Sequence, residues 1–253
     1  MTDIILVCIA SLFAWFVDAV AGWGWLIQIP ALFIVYPDVA AATLLGTNKI
    51  PAFSGTALAA RQYAKRISIN WKIVWLWILI CALSAIIWSY MVSIVNPQIV
   101  KPIILVALIA VAIYTYSNKK FGAKQKEIIF TQKNILLWCM IALIVWFYDG
   151  FLGPWSGNLL ILWFVWLLWF DFLKASAYSK LLNLGSNFGS ILLFWFTWAM
   201  IWSLILPMTI ANMIGSAIGT RMAFLRWNAF IRIVFISAVS LAIVRYAWDI
   251  FMH

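Results

Sequence analysis

Residues 103–116 read I-I-L-V-A-L-I-A-V-A-I-Y-T-Y, and residues 135–147 read I-L-L-W-C-M-I-A-L-I-V-W-F. Neither stretch carries a charge, and neither alternates apolar with polar residues as a barrel strand would. Continuous apolar runs of this kind predict α-helices in lipid, where every backbone N–H and C=O must be satisfied internally. Outward from them, apolar stretches recur at about 3–22, 25–37, 39–60, 71–94, 99–117, 134–152, 156–170, 172–197, 199–219 and 229–251. A full crossing takes about 20 residues. The stretches at 25–37 and 156–170 fall short of that and read as half-helices or broken spans.

The composition agrees. Of 253 residues, 67% are hydrophobic and 9% charged, against roughly 25% charged in an average soluble domain. A water-facing exterior cannot be built from that inventory. The expected fold is an all-α polytopic membrane protein of 8–10 segments. Cys8, Cys81 and Cys139 are odd in number and lie in apolar runs, which argues against a disulfide framework. Met1-Thr2-Asp3 lacks the basic start of a cleaved signal peptide, so the first segment is expected to stay as a span.

Basic residues sort by loop. Arg61, Lys65, Arg66 and Lys72 flank one connection; Lys119, Lys120, Lys124, Lys126 and Lys133 crowd a second; Arg221, Arg226 and Arg232 mark a third. The connections at Pro37-Asp38, Asn96-Pro97 and Thr197–Ala199 carry few. The positive-inside rule puts the first set in the cytoplasm. The net charge of +10 then reflects topology and contact with anionic lipid. No basic and aromatic face of a nucleic-acid-binding domain is present, so nucleic acid is not an expected partner. The expected location is the inner (plasma) membrane, multi-pass.

The sequence repeats itself. A shift of 131 residues places Phe16 on Phe147, Asp18 on Asp149, Gly22 on Gly153 and Lys49 on Lys180. Two acids and two lysines, all within apolar segments, would rarely align at one offset by chance in so weakly charged a chain. Corresponding loops differ in charge: the basic loop at 61–66 matches an uncharged one near 192–198, and Asn96-Pro97 matches the basic stretch near 221–228. That pattern predicts two inverted-topology repeats of about five segments each. The first spans 1–118, a basic cytoplasmic loop covers 119–133, and the second spans 134–253.

Ionisable groups within a membrane are costly and usually functional. Asp18 and Asp149, each four residues before a glycine, are candidate coupling or gating carboxylates; helix capping or a structural ion pair is the plainer account. Lys49 and Lys180 are candidate anion-binding groups, against simple snorkelling to the interface. Beside them lie Thr47 and Asn48 in the first half, and Ser179, Asn183 and Asn187 on one helical face in the second. These read as cavity-lining groups or as interhelical glue. Gly22, Gly24, Gly153 and Gly157 precede short segments, where half-helix N-termini can receive an anion. No metal site, catalytic residue or cofactor is expected.

At these residues the chain resembles the sulfite exporter TauE/SafE family of membrane transporters. The resemblance rests on F-V-D-A-V-A-G-W-G-W-L-I (16–27), L-G-T-N-K (45–49), F-Y-D-G-F-L-G-P-W-S-G (147–157) and K-L-L-N-L-G-S-N (180–187), and covers nearly the whole chain. It implies export or uptake of small anions such as sulfite or organosulfonates. The residues alone imply only a small anion.

Eighteen tryptophans stand against twelve glycines. The family resembled usually has glycine where this chain has Trp15, Trp23, Trp25, Trp146, Trp155, Trp169, Trp198 and Trp227. One account is a divergent site plugged by indoles. The other, which the repeated Gly-to-Trp pattern favours, is a gene from a bacterium that reads UGA as glycine, translated as though UGA meant tryptophan.

A secondary transporter is therefore expected, with no nucleotide-binding P-loop to drive a pump. An anion channel is the nearest alternative. An intramembrane enzyme is disfavoured: the only histidine is His253, and the candidate Asp and Lys groups recur in both repeats as a shared pathway requires. The expected partners are a small anionic solute and the lipid bilayer, with a homodimer among the arrangements the sequence allows.

Overall fold

The computed structural model describes residues 2–22, 24–91, 160–161, 164–165, 170–196 and 200–251. The described residues form helices α1 (Thr2–Ala21), α2 (Trp25–Val35), α3 (Ala41–Ala64), α4 (Trp71–Met91), α5 (Phe172–Phe196) and α6 (Trp202–Phe251), with no strand among them. Five apolar stretches thus become helices within a few residues of their expected ends. The expected segments at 99–117 and 134–152, most of 156–170, and the basic loop at 119–133 lie outside the described residues.

One expectation changes. The stretches at 199–219 and 229–251 are not separate segments but parts of a single 50-residue helix, α6. The expected basic connection near 221–228 is helical because R-M-A-F-L-R-W-N contains no glycine or proline to stop it. Arginine, methionine, alanine and leucine are all favourable helix formers. At 1.5 Å per residue α6 is about 75 Å long, well beyond the roughly 30 Å of bilayer hydrocarbon.

Among the described residues, Thr2–Val20 of α1 and Trp202–Leu225 of α6 are long and apolar enough to cross a membrane, and α4 has a shorter apolar stretch, Trp71–Ile87. Their outer faces are stripes of large apolar side chains left uncovered. Ile5, Ile9 and Phe13 form the stripe on α1; Trp75, Leu79, Leu83 and Ile87 that on α4; Leu206, Ile210, Ile214 and Ile218 that on α6. Helical spacing puts each set on one side, and in water such patches would be costly.

The polar helices lie inward. α3 packs against α5 and α6, α5 against α3 and α4, and α1 against α6 and α2. α3 and α5 carry the two candidate lysines, so their neighbours screen the charges. The 131-residue shift carries the first residue of α3 onto that of α5, and the first residue of α4 onto that of α6. It likewise carries the α3–α6 contact onto the α5–α4 contact.

Glycine sets the closest approaches. Gly185 and Gly189 of α5 lie against the carbonyls of Ile78 and Ala82 in α4, and Gly215 and Gly219 of α6 against those of Leu12 and Phe16 in α1. A Cβ at any of the four would overlap a carbonyl oxygen. Paired small residues four apart are how helices without a hydrophobic drive between them gain dispersion contact in lipid. Val7, Leu32, Leu44, Leu204 and Met208 fill the junction of α1, α2, α3 and α6.

Candidate solute-binding site

The site begins with a turn. Gly22 ends α1 in the left-handed region, at φ 80°, and its N–H donates to the Asp18 carbonyl at 2.8 Å. Glycine adopts that conformation without the Cβ penalty other residues bear. Two residues on, Gly24 packs against the Ala14 carbonyl oxygen and Asp18 Cβ, each 2.6 Å from where its own Cβ would stand. The chain then enters α2, with Ile27 and Gln28 donating to the Gly24 carbonyl.

This reversal folds the N-terminal turn of α2 over Asp18. The Gly24 N–H donates to Asp18 Oδ1 at 3.3 Å, where the unsatisfied N–H groups of a helix start favour negative charge. The other oxygen, Oδ2, accepts from Lys180 Nζ of α5 in a direct ion pair. Lys180 has no exposed surface and Asp18 is 6% exposed. One turn of α1 is further held by Tyr63 of α3, whose hydroxyl donates to the Ala19 carbonyl at 3.0 Å. A fully desolvated ammonium is tolerated only while its counter-charge stays in place.

The polar residues expected around the lysines divide by role. Thr47 is buried and structural: its hydroxyl donates to the Thr43 carbonyl at 2.6 Å and accepts from the Ile201 N–H at 2.8 Å, joining α3 to the approach of α6. Asn48 is buried, and its Oδ1 has no partner among the described residues. Lys49 follows it, half-buried. On α5, Ser179 is buried beside Lys180, whereas Asn183 and Asn187 are half-buried. Ser186 donates to the Asn183 carbonyl at 3.2 Å. α3 and α5 meet at Phe53 and Phe188, with ring centroids 6.4 Å apart. Asp149, Gly153 and Gly157 lie outside the described residues.

α5 is set in place from its first turn. Asp171 caps it, accepting the Lys174 N–H on Oδ1 at 2.7 Å, which satisfies one of the orphan donors at a helix start. The Tyr178 hydroxyl, one turn on, accepts the Asn70 N–H at 3.0 Å. Its ring packs edge-on to Trp77 of α4.

A second polar node was not expected from the sequence. The side chain of Gln28 accepts from Trp15 Nε1 at 2.7 Å and donates to Ser11 Oγ at 2.9 Å and Asn212 Oδ1 at 3.0 Å. It thereby ties α2 to α1 and α6. Close by, Ser216 of α6 donates to the Gly55 carbonyl of α3 at 2.6 Å. The available signal was a lone amide in each of two apolar runs, Gln28 in α2 and Asn212 in α6. Trp15 is 5% exposed, and its ring lies 2.7 Å from where a Gly55 Cβ would stand. Trp25 is half-buried at the start of α2. Trp23, Trp146, Trp155, Trp169 and Trp198, and the side chain of Trp227, lie outside the described residues.

Comparison with known proteins covers almost the full length. The family described as sulfite exporter TauE/SafE matches residues 7–246. A probable membrane transporter protein, ORF9, of Sinorhizobium sp is 32% identical over 236 residues, 93% of this chain and 89% of that one. A probable membrane transporter protein of Haemophilus influenzae is 28% identical over 228 residues, 90% of this chain and 88% of that one. The probable membrane transporter protein YfcA of Escherichia coli K12 is 31% identical over 235 residues, 92% of this chain and 86% of that one. No solved structure matches the chain. A helical chain with exposed apolar stripes and a buried Asp18–Lys180 pair, matched by the family over residues 7–246, belongs to the sulfite exporter TauE/SafE family of membrane transporters.

Proposed function

We propose that the protein is a secondary transporter of small anions, sulfite or organosulfonates, in the plasma membrane. Two inverted halves rearrange about a site near Asp18, Lys49, Asp149 and Lys180. One observation carries this reading: Asp18 of α1 and Lys180 of α5, which the sequence repeat assigns to different halves, are paired and buried among the helices. A relative movement of the halves must break or re-form that pair, which gives a two-state element that solute can bias. The matching helix starts of α3 with α5 and of α4 with α6 support an internal repeat. The family's name supports sulfite, and a buried ammonium suits any small oxyanion.

Purified protein reconstituted in liposomes should take up radiolabelled sulfite or a small sulfonate with saturation, and the rate should respond to an imposed pH gradient. Flux rising linearly with concentration and indifferent to any gradient would identify a channel instead.

A further inference from the structure

We propose that the Asp18 carboxylate is a built-in stand-in for the transported anion, which binds only when a proton neutralises Asp18. This rests on the transporter reading above and adds how its site is gated.

The buried ammonium of Lys180 carries the inference. It lies within the helix cluster with no exposed surface, and the group occupying its anion position belongs to the protein itself. The carboxylate meets two donors from separate elements: Oδ2 meets the Lys180 ammonium and Oδ1 the Gly24 N–H at 3.3 Å. A hydrogensulfite, sulfonate or carboxylate ligand offers the same chemistry, at least two oxygens sharing one negative charge. The occupant that fits is therefore an oxyanion with at least two oxygens, not a halide.

Charge balance dictates the gate. Asp18 and Lys180 together are neutral, and a second anion beside them would be a buried, unpaired charge, which costs several kcal/mol. A proton taken from solution onto Asp18 changes the balance. The carboxyl becomes neutral, Lys180 stays an ammonium, and the incoming oxyanion takes over as its counter-ion. On release the proton leaves Asp18 and the internal pair re-forms. One proton then accompanies each monovalent anion.

The groups facing Asp18 suit that exchange. From α5 comes Lys180, and from α3 comes Tyr63, held by its bond to the Ala19 carbonyl. α2 contributes the Gly24 N–H alone. α6 packs Gly215 and Gly219 against this part of α1, and its Arg221 is exposed. Among the described residues no other carboxylate is placed to share the proton.

The test uses methanesulfonate, which carries no exchangeable proton of its own in the range used, with acetate and chloride for comparison. Binding to the purified full-length chain is measured by titration calorimetry at about pH 7.5 and about pH 5.5, in buffers of differing ionisation enthalpy. The site is binding-competent only in the Asp18-protonated fraction, which grows about tenfold per pH unit while Asp18 is ionised in the free protein, so affinity for methanesulfonate should rise about a hundredfold on acidification. One proton should be taken up per anion bound, and chloride should bind more weakly. Asp18→Asn should bind methanesulfonate tightly at both pH values. Binding to wild type without proton uptake overturns the proposal, whatever the variant's stability. So does a folded Asp18→Asn protein that binds no more tightly than wild type at the higher pH. Methanesulfonate transport without proton uptake would sink this gate and leave the transporter standing. Proton-linked methanesulfonate binding with no transport of any sulfur anion would do the reverse.

Discussion

Lys180 and Asp18 lie 162 residues apart in sequence and form an ion pair in the interior of the helix cluster. Such pairs contribute little net stability, because desolvation offsets most of the attraction, yet breaking one is expensive. Lys180→Met should therefore destabilise the protein by about 3–5 kcal/mol, since it strands the Asp18 charge. The double variant Lys180→Met with Asp18→Leu should recover most of that loss, while transport stays abolished. Thermal unfolding in detergent, run beside liposome flux, checks both. A double variant as unstable as Lys180→Met alone would show that the pair is not what couples these positions.

The glycine contacts give a second expectation. Gly189→Leu should push α5 off the Ala82 carbonyl of α4, and Gly215→Leu should do the same between α6 and Leu12 of α1. Overpacking of this kind costs about 1–3 kcal/mol or more. It should appear as lower yield of monodisperse protein and a lower unfolding midpoint. Leu83→Ala on the uncovered stripe of α4 should leave both nearly unchanged. If the glycine variants behave like Leu83→Ala, α4–α5 and α1–α6 do not pack this closely.

Gln28→Leu removes one acceptor and two donors at the meeting point of α1, α2 and α6. Trp15 Nε1, Ser11 Oγ and Asn212 Oδ1 lose their bonds at once. A buried group left unpaired costs about 1–3 kcal/mol, so the loss should be at least that. Gln28→Asn, one methylene shorter, should not rescue it fully. Faster hydrogen exchange across the first turns of α2, measured by mass spectrometry, would place the loss at this node.

The sequence was most legible where its signal is local. Apolar runs placed α1 through α5 to within a few residues, because a helix in lipid needs only its own hydrogen bonds and apolar side chains. The break at Gly22 was legible too, since glycine before a short segment is a local mark. The merger of two stretches into α6 was missed because charge suggested a loop, whereas helix propensity through Arg226 favoured continuation. Partner choice was the least legible. The repeat pointed to Asp18 and Lys180 singly, but their pairing across 162 residues depends on how α1 and α5 pack. The Gln28 node depends on tertiary packing in the same way.

Trp15 bears on the excess of tryptophan. Its indole fills the space over Gly55 and donates to Gln28, a fit that a true tryptophan and a mistranslated glycine codon explain in opposite ways. If tryptophan is native, Trp15→Gly should cost about 3–5 kcal/mol, the usual loss for emptying a large aromatic site. If glycine is native there, α1 would meet Gly55 of α3 without a side chain between them, and the chain carrying glycine at all eight positions should fold better than the sequence as written. Restored glycines at 23 and 25 would also free the backbone between Gly22 and α2, where Asp18 receives its N–H. The expected outcome is UGA at codons 15, 23, 25, 146, 155, 169, 198 and 227, and glycine at those positions when the natural protein is sequenced by mass spectrometry. UGG at 23, 25 and 155 would refute it and make the indoles part of the native site.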